Sequence, residues 1–327
     1  MLAPLEVASW AYGAGVRLRG ALYDTGVLRG ERVEGLRVIS VGNLNVGGTG
    51  KTPAVLYLAE LLVREGRRVG ILTRGYGRGT KAPVTFMGGE RLPSVEEAGD
   101  EPLLLARRCP GVRVLVGADR RALARRARDE FGLEVVLLDD GFQHRRLARD
   151  EDVVVVDEAV GFGNGRMLPR GPLREPLSGL RRATLLWVRT AVGIEDGRRI
   201  STGAPQVRTR YRPTAWVDPG GGLRPPDALE GQPVLALAGL ARPGGFLRTL
   251  GELGADIRGT ALFADHHPFH ARELHEVRTR AASLGARVVT TEKDLVRLPE
   301  GFEAWTVRLG VEVLEGEAHL RRALGLG

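Results

Sequence analysis

The sequence predicts an α/β protein built on a mostly parallel sheet flanked by helices, with a second, smaller α/β domain after it. Three observations predict this. Short, continuous apolar runs at 36–41, 68–73, 112–116, 133–138, 152–157 and 183–188 alternate with helical patterns; strands buried on both faces of a parallel sheet read in this way. A Gly-rich turn separates the first run from a helical pattern at 51–64. A breaker-rich stretch around 205–226 precedes a new βα series, with runs at 233–238, 257–263 and 286–290.

The chain has 327 residues, 43% of them hydrophobic and 27% charged, so it can bury a large core and divide into two domains. The expected division is a core at 1–205, a linker at 206–228 whose start, 206–211, alternates like an exposed strand before Pro and Gly cluster, and a smaller closing domain at 229–327. The net charge of +8 admits nucleic acid, an anionic membrane face or phosphorylated substrates as partners. Aromatic residues make up only 5%, and no stacking platform or nucleic-acid motif accompanies the charge, so no nucleic-acid partner is expected. The basic residues are almost all Arg; the lysines are Lys51, Lys81 and Lys293. Cys109 is the only cysteine, which excludes a disulfide framework and a cysteine metal cluster. The N-terminal stretch is apolar and carries Trp10 and Tyr12, but its uncharged part, 7–16, is too short to span a bilayer. It reads either as an interfacial helix or as one packed on the protein's own core.

The turn after the first run holds Asn45, Val46, Gly47, Gly48, Thr49, Gly50, Lys51 and Thr52. Strand, Gly-rich turn and helix form the setting of a phosphate-binding P-loop, in which backbone N–H groups and a helix N-terminus face an anion. Lys51 reaches the β/γ-phosphates and the Thr52 hydroxyl serves Mg²⁺. Asn45 stands where the general pattern has Gly, and Asn tolerates left-handed backbone. The run at 133–138 ends in Asp139 and Asp140, and acidic residues at a strand end beside a P-loop can hold the metal. Ser94 and Glu97 have capping-box spacing. Asp100 and Glu101 at a helix start are either caps or include a base. Arg174 and Glu175 lie in a Gly/Pro-rich loop at 163–176 and read as a surface ion pair. Asp265, His266, His267 and His270 read as a zinc site, an acid/base unit or a structural cluster.

Taken together, several stretches resemble one family, the tetraacyldisaccharide 4'-kinases of lipid A biosynthesis. They are the loop at 40–53, Thr-Arg-Gly-Tyr-Gly-Arg at 73–78, Gly-Asp-Glu-Pro at 99–102 and Val-Gly-Ala-Asp-Arg at 116–120. Leu-Asp-Asp-Gly-Phe-Gln-His at 138–144, the loop at 163–176, Phe-Ala-Asp-His-His at 263–267 and Thr-Thr-Glu-Lys-Asp at 290–294 complete the set. The resemblance implies transfer of the ATP γ-phosphate to the 4'-hydroxyl of an acylated glucosamine disaccharide 1-phosphate. It implies ATP and Mg²⁺ as cofactors, the cytoplasmic face of the inner membrane as location, and no obligate protein partner. It assigns catalysis to Lys51, Asp139, Asp140, Asp100 as base and His266 as its partner. Nucleotide contacts fall to Asn45, Gly47, Gly48, Thr49, Gly50, Lys51, Thr52, Glu101, Gln143, Arg174 and Glu175, and metal contacts to Thr52, Asp139 and Asp140. The competing reading is a P-loop NTPase that drives another process without a lipid acceptor.

Overall fold

A computed structural model of the protein describes residues 3–48, 50–190 and 203–327. The chain opens with helix α1 (Ala3–Asp24), then β1 (Arg37–Gly42), α2 (Lys51–Arg64), β2 (Val69–Thr73), β3 (Val84–Met87), α3 (Val95–Ala98), α4 (Asp100–Arg108), β4 (Arg113–Val116), α5 (Arg120–Asp129) and β5 (Val135–Asp139). It continues with β6 (Glu151–Asp157), a 3-10 helix at Leu177–Arg182, β7 (Leu185–Arg189), β8 (Gln206–Val217) and β9 (Leu223–Arg224). The last part comprises β10 (Pro233–Gly239), α6 (Gly244–Glu252), β11 (Asp256–Phe263), α7 (Ala271–Ser283), β12 (Arg287–Thr291), α8 (Glu292–Leu295), β13 (Trp305–Glu315) and α9 (Glu317–Leu324).

The strands form one sheet in the order β11-β10-β12-β13-β8-β7-β6-β1-β5-β2-β4-β3, with β9 on β8. Pairing is parallel except at β3–β4, β8–β9 and β8–β13. β1 lies between β5 and β6, in a register that sets Val41 beside Asp139. The end of the P-loop strand and the acidic strand end are thereby neighbours at one edge. α2 packs on this part of the sheet through Ala54, Val55, Leu58, Ala59 and Leu62, all fully buried at helical spacing. Burying each leucine contributes roughly 1.5–3 kcal/mol, which anchors the helix that begins at Lys51. α3 carries the expected capping box: Ser94 N–H donates to Glu97 Oε2 at 2.8 Å and Glu97 N–H to Ser94 Oγ at 3.2 Å.

The expected strand at 206–211 is present and runs on to 217, so the expected linker at 206–228 is a strand for half its length. β8 pairs in parallel with β7 and antiparallel with β13, so the sheet runs on from the first half of the chain into the second. Pro213 sits beside a register shift at Arg308/Leu309, where the ladder is interrupted and its missing N–H does little harm. The Gly cluster that follows makes the β8–β9 turn, with Gly222 N–H donating to Asp218 Oδ1 at 2.8 Å.

Candidate active site

The P-loop is held from both sides. Gly47 and Gly50 adopt φ of 100° and 79°, left-handed backbone that favours glycine. Gly50 also has no room for a side chain, since a Cβ would lie 2.7 Å from the Tyr211 ring. The Tyr211 hydroxyl donates to the Gly50 carbonyl at 2.7 Å and accepts from Trp187 Nε1 at 3.1 Å. On the other side the 163–176 loop is bonded to the turn: Val46 N–H donates to Pro172 O at 2.8 Å, and Arg174 N–H to Leu44 O at 2.7 Å. The buried Asn45 side chain donates to Gly161 O at 2.8 Å, just ahead of that loop. Thr49 lies outside the described residues. A cavity of about 340 Å³ opens over the turn, walled by Gly47, Gly48, Gly163, Asn164 and, from the second half, Arg242.

Asp139 and Asp140 differ in state. Asp140 takes a φ of 51°, unusual for a residue with a Cβ, and this turn brings it to two cations. Lys51 Nζ lies 3.3 Å from it and Arg174 Nη1 lies 2.7 Å from each of its oxygens. Burial pushes the Asp140 carboxyl up, but Lys51 and Arg174 outweigh burial and hold it below the usual carboxylate range. Asp139 is pushed up, first by burial, then by Glu101 and Asp140; Lys51 and a 3.2 Å bond from Thr73 Oγ1 oppose this. Arg174 and Glu175, expected as a pair with each other, therefore split. Glu175 is buried, accepts from Gln143 Nε2 at 2.8 Å and from Arg182 at 2.7 Å, and so fixes Gln143, which also donates to Asn43 O.

Asp100 and His266, 166 positions apart in sequence, meet. His266 Nδ1 lies 2.8 Å from Asp100 Oδ2. Asp100 is 3% exposed and its Oδ1 accepts the Glu101 N–H at 2.9 Å. Glu101 itself is placed near Asp139 by α4, whose first turn holds both acids. His266 adopts a φ of 59°, which aims its ring across to α4. The neighbouring histidines do not join it. His267 Nε2 bonds Glu273 Oε2 at 2.8 Å, and the same oxygen accepts the His270 N–H at 2.8 Å, so these two buttress the start of α7.

Sequence reasoning missed Tyr211, Trp187, Thr73, Arg182 and Arg297. Arg297 is 5% exposed, pairs with Asp294, lies 3.8 Å from Asp100 and stacks over Phe269 at 5.2 Å. Nothing in local sequence marks any of these, because each depends on strand order or on a distant loop.

A Gly-rich turn at a helix start, a cation-clamped acidic strand end beside it and a carboxylate–imidazole pair are the features of a P-loop phosphotransferase. The sequence profile of the family described as LpxK, tetraacyldisaccharide-1-P 4'-kinase, matches residues 1–325, and the chain belongs to that family. A relative described as tetraacyldisaccharide 4'-kinase, from Anaeromyxobacter sp. (strain Fw109-5), is 49% identical over 99% of this chain and 91% of its own length. Another of the same description, from Syntrophus aciditrophicus (strain SB), is 42% identical over 90% of this chain and 83% of its own. Among solved structures, that of LpxK from Aquifex aeolicus, described as an "apo" form in complex with ATP, superposes with a TM-score of 0.84. It is 34% identical and covers 99% of this chain and 97% of its own.

Proposed function

We propose that the Asp100–His266 pair is the base of an ATP-dependent 4'-kinase reaction whose phosphates are held by the P-loop. As a family member the chain is a kinase that phosphorylates the 4' position of the lipid A precursor. The observation that carries the site reading is the 2.8 Å bond between Asp100 and His266, which comes from opposite halves of the chain. A sugar hydroxyl is a weak nucleophile, and the pair removes its proton as the γ-phosphoryl is transferred. Transfer passes through a loose transition state, so the remaining groups position and neutralise. Lys51 and the N–H groups at 47–52 hold the triphosphate, Arg174 and Asp140 set the position of Lys51, and Gln143 and Glu175 fix the wall behind them.

The donor set suits Mg²⁺: Thr52, Asp139 and Asp140 offer hard oxygens, and the upward push on Asp139 marks a crowd of carboxylates that a dication relieves. Bound there, Mg²⁺ supplies positive charge to the phosphate oxygens. The base is complete only when the 229–327 half is seated against α4, so closure of that half assembles the site and excludes water. α1 exposes Leu5, Val7, Trp10 and Leu18, and no helix among the described residues is long and apolar enough to cross a membrane. We therefore place α1 on the anionic cytoplasmic face of the inner membrane, where the acylated disaccharide 1-phosphate resides.

The test is transfer from labelled ATP to the disaccharide 1-phosphate with Mg²⁺, for the native protein and for Lys51→Ala, Asp100→Ala, His266→Ala and the Asp100/His266 double variant. Labelled lipid is expected from the native protein alone at full rate, with the double variant little worse than either single. ATP turnover independent of acceptor would favour the NTPase reading, and fully multiplicative losses would break the pair.

A further inference from the structure

We propose that Lys293 is a positioning residue for the Asp100–His266 pair, fixing which ring nitrogen of His266 carries the proton. The proposal rests on the base assignment above and extends it to a residue outside that assignment. Lys293 lies in α8, whose Thr291 N-cap hydroxyl accepts the Asp294 N–H at 3.0 Å. Its Nζ stands 3.2 Å from His266 Nε2 and 3.3 Å from Asp265 Oδ1. Asp265 Oδ2 is 3.9 Å from the same ring nitrogen, beyond hydrogen-bond reach.

A lysine ammonium has three donors and no acceptor. Facing it, His266 Nε2 contributes a lone pair and carries no proton. A neutral imidazole holds one N–H, so that N–H is on Nδ1, where it donates to Asp100 Oδ2 at 2.8 Å. The opposite tautomer would set the Nδ1 lone pair against a carboxylate and an Nε2–H against an ammonium, which is repulsive at both ends. Asp265 in turn anchors the ammonium. The order Asp265, Lys293, His266, Asp100 is thus a polarised line that leaves His266 one orientation, despite the ring being a third exposed. The choice of Lys in a chain whose basic residues are nearly all Arg fits the geometry: a compact ammonium meets a single ring nitrogen, whereas a guanidinium presents a planar fork.

The experiment combines nitrogen NMR of ¹⁵N-histidine-labelled full-length protein with steady-state kinase assays, using Lys293→Met and Lys293→Arg. In the native protein His266 should give one proton-bearing nitrogen, Nδ1, and one bare nitrogen, Nε2. Lys293→Met should give a mixture of tautomers and a kcat lower by on the order of 10- to 100-fold, up to the lower end of the 10²–10⁴ ascribed to base catalysis. The KM for ATP should stay within about twofold, because the P-loop is untouched. Lys293→Arg should recover little of kcat. A native protein with the proton on Nε2, or an unchanged tautomer in Lys293→Met, overturns the proposal; the native spectrum decides even if a variant fails to fold. If His266→Ala keeps full kcat while the native spectrum is as expected, the base assignment falls and the tautomer result stands apart from it.

Discussion

Replacing Tyr211 by Phe removes one oxygen atom from the support of the P-loop. That hydroxyl bridges Trp187 Nε1, in a side chain with no exposure, and the carbonyl of Gly50. Burial pushes the phenol far above its usual range, so it is neutral and acts only through these bonds. In Tyr211→Phe the indole N–H has no partner in this arrangement, which costs about 1–3 kcal/mol, and the lost bond to Gly50 adds about 1 kcal/mol. Melting should therefore fall by a few degrees, at about 1.5 °C per kcal/mol for 327 residues with an unfolding entropy of about 2.1 cal/mol/K each. The loop also loses its fixed height, and an anion site that must re-form on binding loses affinity; one kcal/mol corresponds to about a fivefold weaker Kd for ATP. Thermal denaturation and ATP titration of Tyr211→Phe, Trp187→Phe and the double variant form a cycle that isolates the shared bond. A Tyr211→Phe protein with native melting and native ATP affinity would refute the reasoning, as would full additivity of the two single changes.

Three further outcomes follow from the structure. Cys109 is 3% exposed and its thiol is pushed up to about 12, by burial first and by Glu60 second, so a thiol-alkylating reagent at pH 8 should label the native protein only at the rate of unfolding. His144 is held down at about 4 by burial and by Arg120 and Arg149. It stays neutral in the fold while the unfolded chain takes the proton near 6.5, so its contribution is full above 6.5 and is lost as pH falls towards 4. Melting measured between pH 7 and 4 should decline less steeply in His144→Gln than in the native protein. Trp10→Glu should weaken sedimentation with anionic vesicles severalfold while leaving the melting temperature within about 1 °C, since that ring is 64% exposed; unchanged vesicle binding would remove α1 from the membrane contact.

The sheet was legible because its strands are buried on both faces: 36–41, 133–138 and 152–157 read as apolar runs and became β1, β5 and β6. β8 was legible only in its first half: 206–211 alternates like an exposed strand, but Pro213 and the Gly/Pro cluster after it hid the continuation to 217. Propensity argued for a linker there, while pairing with β7 and β13 made a strand. The P-loop and Asp139–Asp140 were legible as chemistry at strand ends. The bond between Asp100 and His266 was not in the local pattern, and only the resemblance joined them. The partners of Arg174 and Glu175 were misread for a physical reason: adjacent residues in an extended loop point apart, so Arg174 reached Asp140 and Glu175 reached Arg182.

α1 is also stapled to the loops of the candidate site. Its Ser9 hydroxyl donates to Met167 O at 2.9 Å, Tyr12 to Arg174 O at 2.8 Å, and Arg19 to Gln143 O at 3.1 Å, while Glu6 pairs with Arg166 and Arg170. All five partners belong to the loops that carry the Asp140 clamp or its backing. The helix is therefore poor material for truncation. A protein shortened by α1 would keep its sheet but have its clamp loop unstapled. A ligand that pries at the seam between Tyr12 and Arg174 would disturb the Asp140 clamp from outside the Gly-rich turn.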